Sequence, residues 1–218
     1  MKTTARTALL AFALLAVACT RPNRGSVFIE DVCAFPKDAK SCSFEAECTL
    51  VLMGYPWVYT QLLGAPNHLE LPVQFNNQLP DNTDESMSHT NTNIAVVDTI
   101  ELSYESADLG IAIPSISIPI STTIPTEGAT VEMVYVLPEP IAQYLFDNWP
   151  ATVPDPTYVT ALVKLKGRYL SDSPFETGEF PITFQVVNGD FPGYACPVGT
   201  TLTAVCPHSG QSAATSCE

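Results

Sequence analysis

Tyr55, Trp57 and Tyr59 stand at every second position in the run GYPWVYT, so an extended backbone turns all three to one side. On a solvent-facing sheet such a row could stack against the rings of a bound glycan. On an inner face it is core, because each aromatic removes roughly 150–250 Å² from water. Burial is the commoner use of such a row and is the expectation here, with glycan binding as the alternative. A second group lies in NNQLPDNTDES, residues 76–86, where Asp81, Asp84 and Glu85 gather beside Asn82. Their oxygens could serve a hard cation such as calcium. The ligand order and central glycine of an EF-hand are missing, so a solvated loop is expected and no cofactor is implied beyond this weak calcium site.

Catalytic chemistry leaves little trace. The chain has no G-x-S-x-G elbow, no H-E-x-x-H, no P-loop and no G-x-G-x-x-G. His68, His89 and His208 are the three histidines, each in a polar or proline-rich stretch without a second ligand at helix or strand spacing. Solvated loop histidines are the expectation, and no catalytic residue is assigned.

The first 19 residues, MKTTARTALLAFALLAVAC, join a positive start (Lys2, Arg6) to a short uncharged apolar run and the small-residue approach Ala16-Val17-Ala18 before Cys19. They read as an export signal. The run from Ala8 to Ala18 is well short of the roughly 20 residues that cross a bilayer. The segment resembles the lipobox signal of bacterial lipoproteins, with Ala16 standing where that family most often has leucine. The resemblance implies cleavage before Cys19, acylation of its thiol and membrane attachment through the lipid. In that family an aspartate after the cysteine favours the inner membrane. Thr20 stands there in this chain, which implies the outer membrane, with the domain facing the periplasm or the surface.

With Cys19 acylated, six cysteines remain of seven: Cys33, Cys42, Cys48, Cys196, Cys206 and Cys217. An even set in an exported chain points to disulfides. Three lie near each end, so full oxidation requires at least one bridge between the two clusters. A zinc site is disfavoured, because the spacings C-x8-C-x5-C and C-x9-C-x10-C lack the short knuckles that hold the metal.

Charge bounds the partners. Net charge is −14, and no lysine or arginine occurs between Lys40 and Lys164. A surface so poor in cations cannot neutralise phosphates, which excludes nucleic acid as an expected partner.

These residues must be positioned by sheet. Residues 94–105 alternate, with Ile100, Leu102 and Tyr104 on one face. The same pattern runs through 130–137 (Val131, Met133, Tyr135, Leu137), 158–170 (Val159, Ala161, Val163, Leu165, Tyr169) and 180–187 (Phe180, Ile182, Phe184, Val186). Weaker strands are predicted at 49–53, 69–75 and 110–120. Nineteen prolines suit strand edges and turns better than helix interiors. One helix is predicted over 138–149, where prolines open the segment and Ile141, Leu145 and Trp149 recur every fourth residue. The fold class is therefore all-β, an antiparallel β-sandwich with immunoglobulin-like topology as its expected variant, one short helix and disulfides. The organisation is signal peptide 1–18, lipidated tether 19–26 and sandwich domain 27–218.

The functional expectation is a lipid-anchored envelope protein with a structural or interaction role and no enzymatic one. Its partners are the membrane through the lipid, and envelope proteins or glycans. The alternatives are a ligand-binding lipoprotein, for glycan or calcium, and more remotely a hydrolase.

Overall fold

The computed structural model describes residues 25–34, 48, 51–83 and 90–191, and the backbone of 202–206 and 214–217. Strands β1 (Val27–Val32), β2 (Trp57–Leu62), β3 (Ala65–Pro66), β4 (Leu69–Asn77), β5 (Ala95–Glu105), β6 (Ile116–Ile124) and β7 (Gly128–Leu137) lead into helix α1 (Glu139–Asn148). β8 (Thr157–Tyr169), β9 (Pro174–Glu176), β10 (Phe180–Asp190), β11 (Leu202–Cys206) and β12 (Ala214–Cys217) follow. A three-stranded sheet, β1-β4-β7, faces a seven-stranded one ordered β3-β2-β10-β8-β5-β6, with β9 added beside β8. β11 and β12 pair with each other as a separate ribbon.

The core fills the space between the sheets. Phe75, Val73 and Leu71 of β4 bury against Ile100 and Leu102 of β5, Val159, Ala161, Val163 and Leu165 of β8, and Ile182, Phe184 and Val186 of β10. The alternation read in β5, β8 and β10 is the one the structure uses, because inward parity follows the apolar set in each. Tyr104 ties the two sheets directly, its hydroxyl donating to the Val136 carbonyl at 3.1 Å. Burial pushes that hydroxyl far above the ordinary tyrosine range, so it stays a donor.

Three expectations are corrected. β7 turns Val134 and Val136, of the parity opposite to the expected row, into the core, and Tyr135 of that row is 43 % exposed, although its Val131 and Leu137 are buried. Its register sets Val134 opposite Leu71 and Glu132 opposite Val73, so the inward set includes a carboxylate. That acid is accommodated at the sandwich margin by the Thr122 hydroxyl of β6, which donates to it. The strand expected over 49–53 is reduced to a single bridge between Val51 and Cys33, with 49 and 50 outside the described residues. The antiparallel expectation fails at one pair, because β2 runs parallel to β10.

Sequence expectations for α1 hold in place and polarity. Pro140 sits in its first turn, where a missing N–H leaves no bond unmade. Ile141, Ala142 and Leu145 bury against the core, so the helix closes one end of the sandwich. Gly167 in β8 is required by close approach: a Cβ there would lie 2.0 Å from the Val96 carbonyl oxygen and 2.8 Å from the Phe175 ring. β6 forms an outer edge of the larger sheet and carries Pro119 in its middle.

Cys33 and Cys48 form a disulfide, with Cα atoms 5.3 Å apart. Cys42 is thereby left as the third member of the first cluster. It lies outside the described residues, as do Cys196 and the side chains of Cys206 and Cys217.

Candidate functional site

β2 decides where the aromatic row goes. Val58 and Thr60 are fully buried on the core side, and strand alternation then sends Trp57 and Tyr59 to the opposite, outer face of the larger sheet. The expected burial of this row as core is thus corrected. The physical reason is parity: the β-branched Val58 and Thr60 fill the inner positions, and Thr60 also accepts the Gly189 N–H at 2.9 Å.

The register gathers more of the same chemistry. Gln185 of β10 lies opposite Trp57 on one side and Tyr158 of β8 on the other, and partners directly opposite share a face. Tyr55 packs edge-on against Tyr158 with ring centroids 5.3 Å apart. Trp57 packs against Tyr59 at 5.6 Å, and Phe191 closes the group 5.2 Å from Tyr59. Exposure is graded: Phe191 is buried, Trp57 and Tyr59 are half-buried, and Tyr158 and Tyr55 are 47 % and 63 % exposed. Beside them the hydroxyls of Thr160 and Thr183 meet at 2.9 Å on the same face.

Tyr158, Gln185, Thr160 and Thr183 escaped the sequence reading. A signal existed for Tyr158: with Val159, Ala161 and Val163 inward, its parity points out. Nothing local could have paired β2 with β10, because the partners are well over a hundred residues apart.

The other half of this face is ionic. Lys164, Lys166 and Arg168, the only lysines and arginines after Lys40, all project from β8. Lys164 meets Glu176 at 3.0 Å and Lys166 meets Glu101 at 2.7 Å, while Arg168 lies 3.9 Å from Asp98 and from Asp172. The hydrogen bond from Lys164, with the charges of both lysines, holds the Glu176 carboxyl below its ordinary range. The bond to Glu101 raises Lys166. Between the two halves lies a cleft of about 320 Å³ lined by Glu101, Ser103, Ser115, Ser117, Leu162 and Lys164, among others.

No family model matches this chain, and no curated protein matches it either.

The remaining candidates are placed as follows. Asp81 is exposed and its Oδ1 accepts the Thr83 N–H at 2.7 Å, a local turn. Asp84 and Glu85 lie outside the described residues. Among the described residues no group of three His, Cys, Asp or Glu side chains is placed to hold a metal ion. His68 sits 3.9 Å from the Glu139 carboxylate and edge-on to Tyr135 at 5.5 Å. His89 and His208 lie outside the described residues, as does Cys19. Among the described residues no helix is long and apolar enough to cross a membrane.

Proposed function

We propose that this chain is an exported envelope protein, held at the outer membrane by acyl chains on Cys19, whose role is non-enzymatic and exercised through the aromatic face of its larger sheet. One observation supports the contact role above the rest. Tyr55 and Tyr158 keep about half of their surface or more in solvent while touching each other, and grouped exposed aromatics mark binding surfaces more often than scattered ones do. The anchor is supported by the resemblance of residues 1–19 to lipobox signals, and the tether at 19–26 would hold the domain close to the membrane.

Two measurements test the halves separately. Mass spectrometry of the chain purified from membranes is expected to find residues 1–18 removed and Cys19 acylated. An unmodified Cys19 or a retained leader overturns the placement. A photo-crosslinking residue at position 158 is expected to trap envelope material in intact cells, whereas one at position 74, on the smaller sheet, traps none. Equal yields from both positions would remove the contact role.

A further inference from the structure

The occupant of the aromatic face can be narrowed by what surrounds the rings. Tyr55, Trp57, Tyr59 and Tyr158 are interleaved with Thr160, Thr183 and Gln185, aromatic rings and neutral hydrogen-bonding groups bordered by the exposed Glu105 opposite Thr160. The cations of β8 are already matched by Glu101, Glu176, Asp98 and Asp172 at the other half of the sheet. An anionic ligand meets no positive charge at the strip and approaches a chain of net charge −14. A cationic ligand finds a carboxylate only at the strip's margin, Glu105 opposite Thr160, while Glu101 of the neighbouring cleft is already paired with Lys166. Rings that present flat apolar faces, beside hydroxyls and a carboxamide that both donate and accept, match a neutral sugar, whose C–H faces are apolar and whose rim is hydroxyl.

The cleft supplies the second element. Its Ser103 and Leu162 lie opposite each other, and Leu162 is four residues along β8 from Tyr158 on the same outer face. At 3.3 Å of rise per residue the cleft is therefore about 13 Å from the aromatic row. Its volume of about 320 Å³ falls at the small end of ligand sites, which start at about 300 Å³. Three serines, Ser103, Ser115 and Ser117, line it beside Glu101, Lys164 and Glu179, and these hydroxyls and carboxylates accept from a sugar's rim. A single ring fills either place but reaches only one of them.

We infer that the outer face of the larger sheet binds a neutral, linear glycan that lies along β8, stacked on Tyr55 and Tyr158 at one end and entering the Ser103–Ser117 cleft at the other. This rests on the contact role proposed for that face, and narrows it to one class of ligand.

Affinity electrophoresis and calorimetry of the purified full chain test it, with soluble β-glucan, mannan and galactan as probes, their disaccharides and hexasaccharides, and polygalacturonate as the anionic counterpart. At least one neutral polymer is expected to bind, with its hexasaccharide held more tightly than its disaccharide. The double variant Tyr55→Ala/Tyr158→Ala is expected to bind roughly tenfold more weakly, whereas Tyr55→Phe/Tyr158→Phe, which keeps both rings, retains most of the affinity. Ser117→Arg, on the exposed side of β6, is expected to weaken the hexasaccharide and leave the disaccharide unchanged. Thermal unfolding of each variant shows that it is folded. Preference for polygalacturonate, or neutral binding indifferent to all these changes, overturns the inference. If no neutral glycan binds while crosslinking at position 158 persists, the glycan is wrong and the contact role stands. If both are absent, the two fall together.

Discussion

The two sheets of this sandwich each turn one face to solvent, and they dress it differently. On the smaller sheet, Gln74 and Asn76 of β4 both donate to the Glu30 carboxylate of β1, at 2.6 and 2.9 Å. That is an ordinary solvated surface, with polar groups satisfied by one another. On the larger sheet, Tyr59 of β2 and Tyr158 of β8 face outward and Tyr55, just ahead of β2, joins them; Tyr158 and Tyr55 are 47 % and 63 % exposed. The smaller sheet also carries an outward aromatic, Tyr135, 43 % exposed and edge-on to His68, but the larger sheet gathers Tyr55, Trp57, Tyr59 and Tyr158 in one group. Folding does not require such a group there, because the inner parity of the same strands already supplies the buried apolar set, and rings left in water add little to stability. The contrast locates function by subtraction: the face whose composition the fold does not require is the one that meets a partner.

Four changes would break or sharpen this contrast. The largest effect is expected from Phe184→Ala, directly behind the strip, since a fully buried phenylalanine lost from a core costs about 3–5 kcal/mol. Chemical denaturation should show that loss, and a much smaller one would mean that the inner parity of β10 does not carry the sheet. Next comes Gly167→Ala, where the added methyl meets the Val96 carbonyl oxygen at 2.0 Å. Overpacking of this kind destabilises by about 1–3 kcal/mol, and an unchanged midpoint would show that β5 and β8 are not so close.

Smaller still is the direct comparison of faces. Tyr55→Ala/Tyr158→Ala should lose about 1 kcal/mol or less, the worth of one edge-on aromatic pair, and Gln74→Ala/Asn76→Ala a similar amount. Their melting curves should therefore be close, while only the first pair loses glycan retention in affinity electrophoresis. A steep loss of stability in the tyrosine variant would return those residues to a structural role.

The least effect is expected from Glu176→Gln. Its carboxyl titrates below the ordinary range when folded, so its contribution is present above the unfolded pKa and is lost as pH falls through the folded one. The wild-type melting temperature should drop more steeply than the variant's below roughly pH 4. Parallel curves would show that the β8 ion pairs are too exposed to matter.

Much of this was legible in the chain. β5, β8 and β10 announce themselves because their inward positions are uniformly apolar, and period two then fixes both faces at once. α1 is equally plain, since Pro140 and the spacing of Ile141 and Leu145 permit little else. β7 misleads because its apolar residues occupy both parities: Val131, Met133 and Tyr135 form as good a row as Val134 and Val136. Only the register against β4 chooses between them, and register is a tertiary property. The aromatic row was visible but its side was not. Burial was the expectation for Tyr55, Trp57 and Tyr59 because aromatics usually serve cores, yet Val58 and Thr60 between them were competent to be the inner set. Cysteine parity likewise required a link between clusters without naming its members. The Cys33–Cys48 bond leaves Cys42 as the first cluster's remaining candidate for it.

Pro119 has a consequence for behaviour at high density. Copies at high concentration meet sheet beside sheet, and an unpaired margin with a full row of donors invites strand-to-strand stacking into fibrils. β6 sits at that margin, yet the amide missing at Pro119 interrupts its row. A neighbouring copy finds no continuous ladder to extend along β6, which disfavours stacking through that edge.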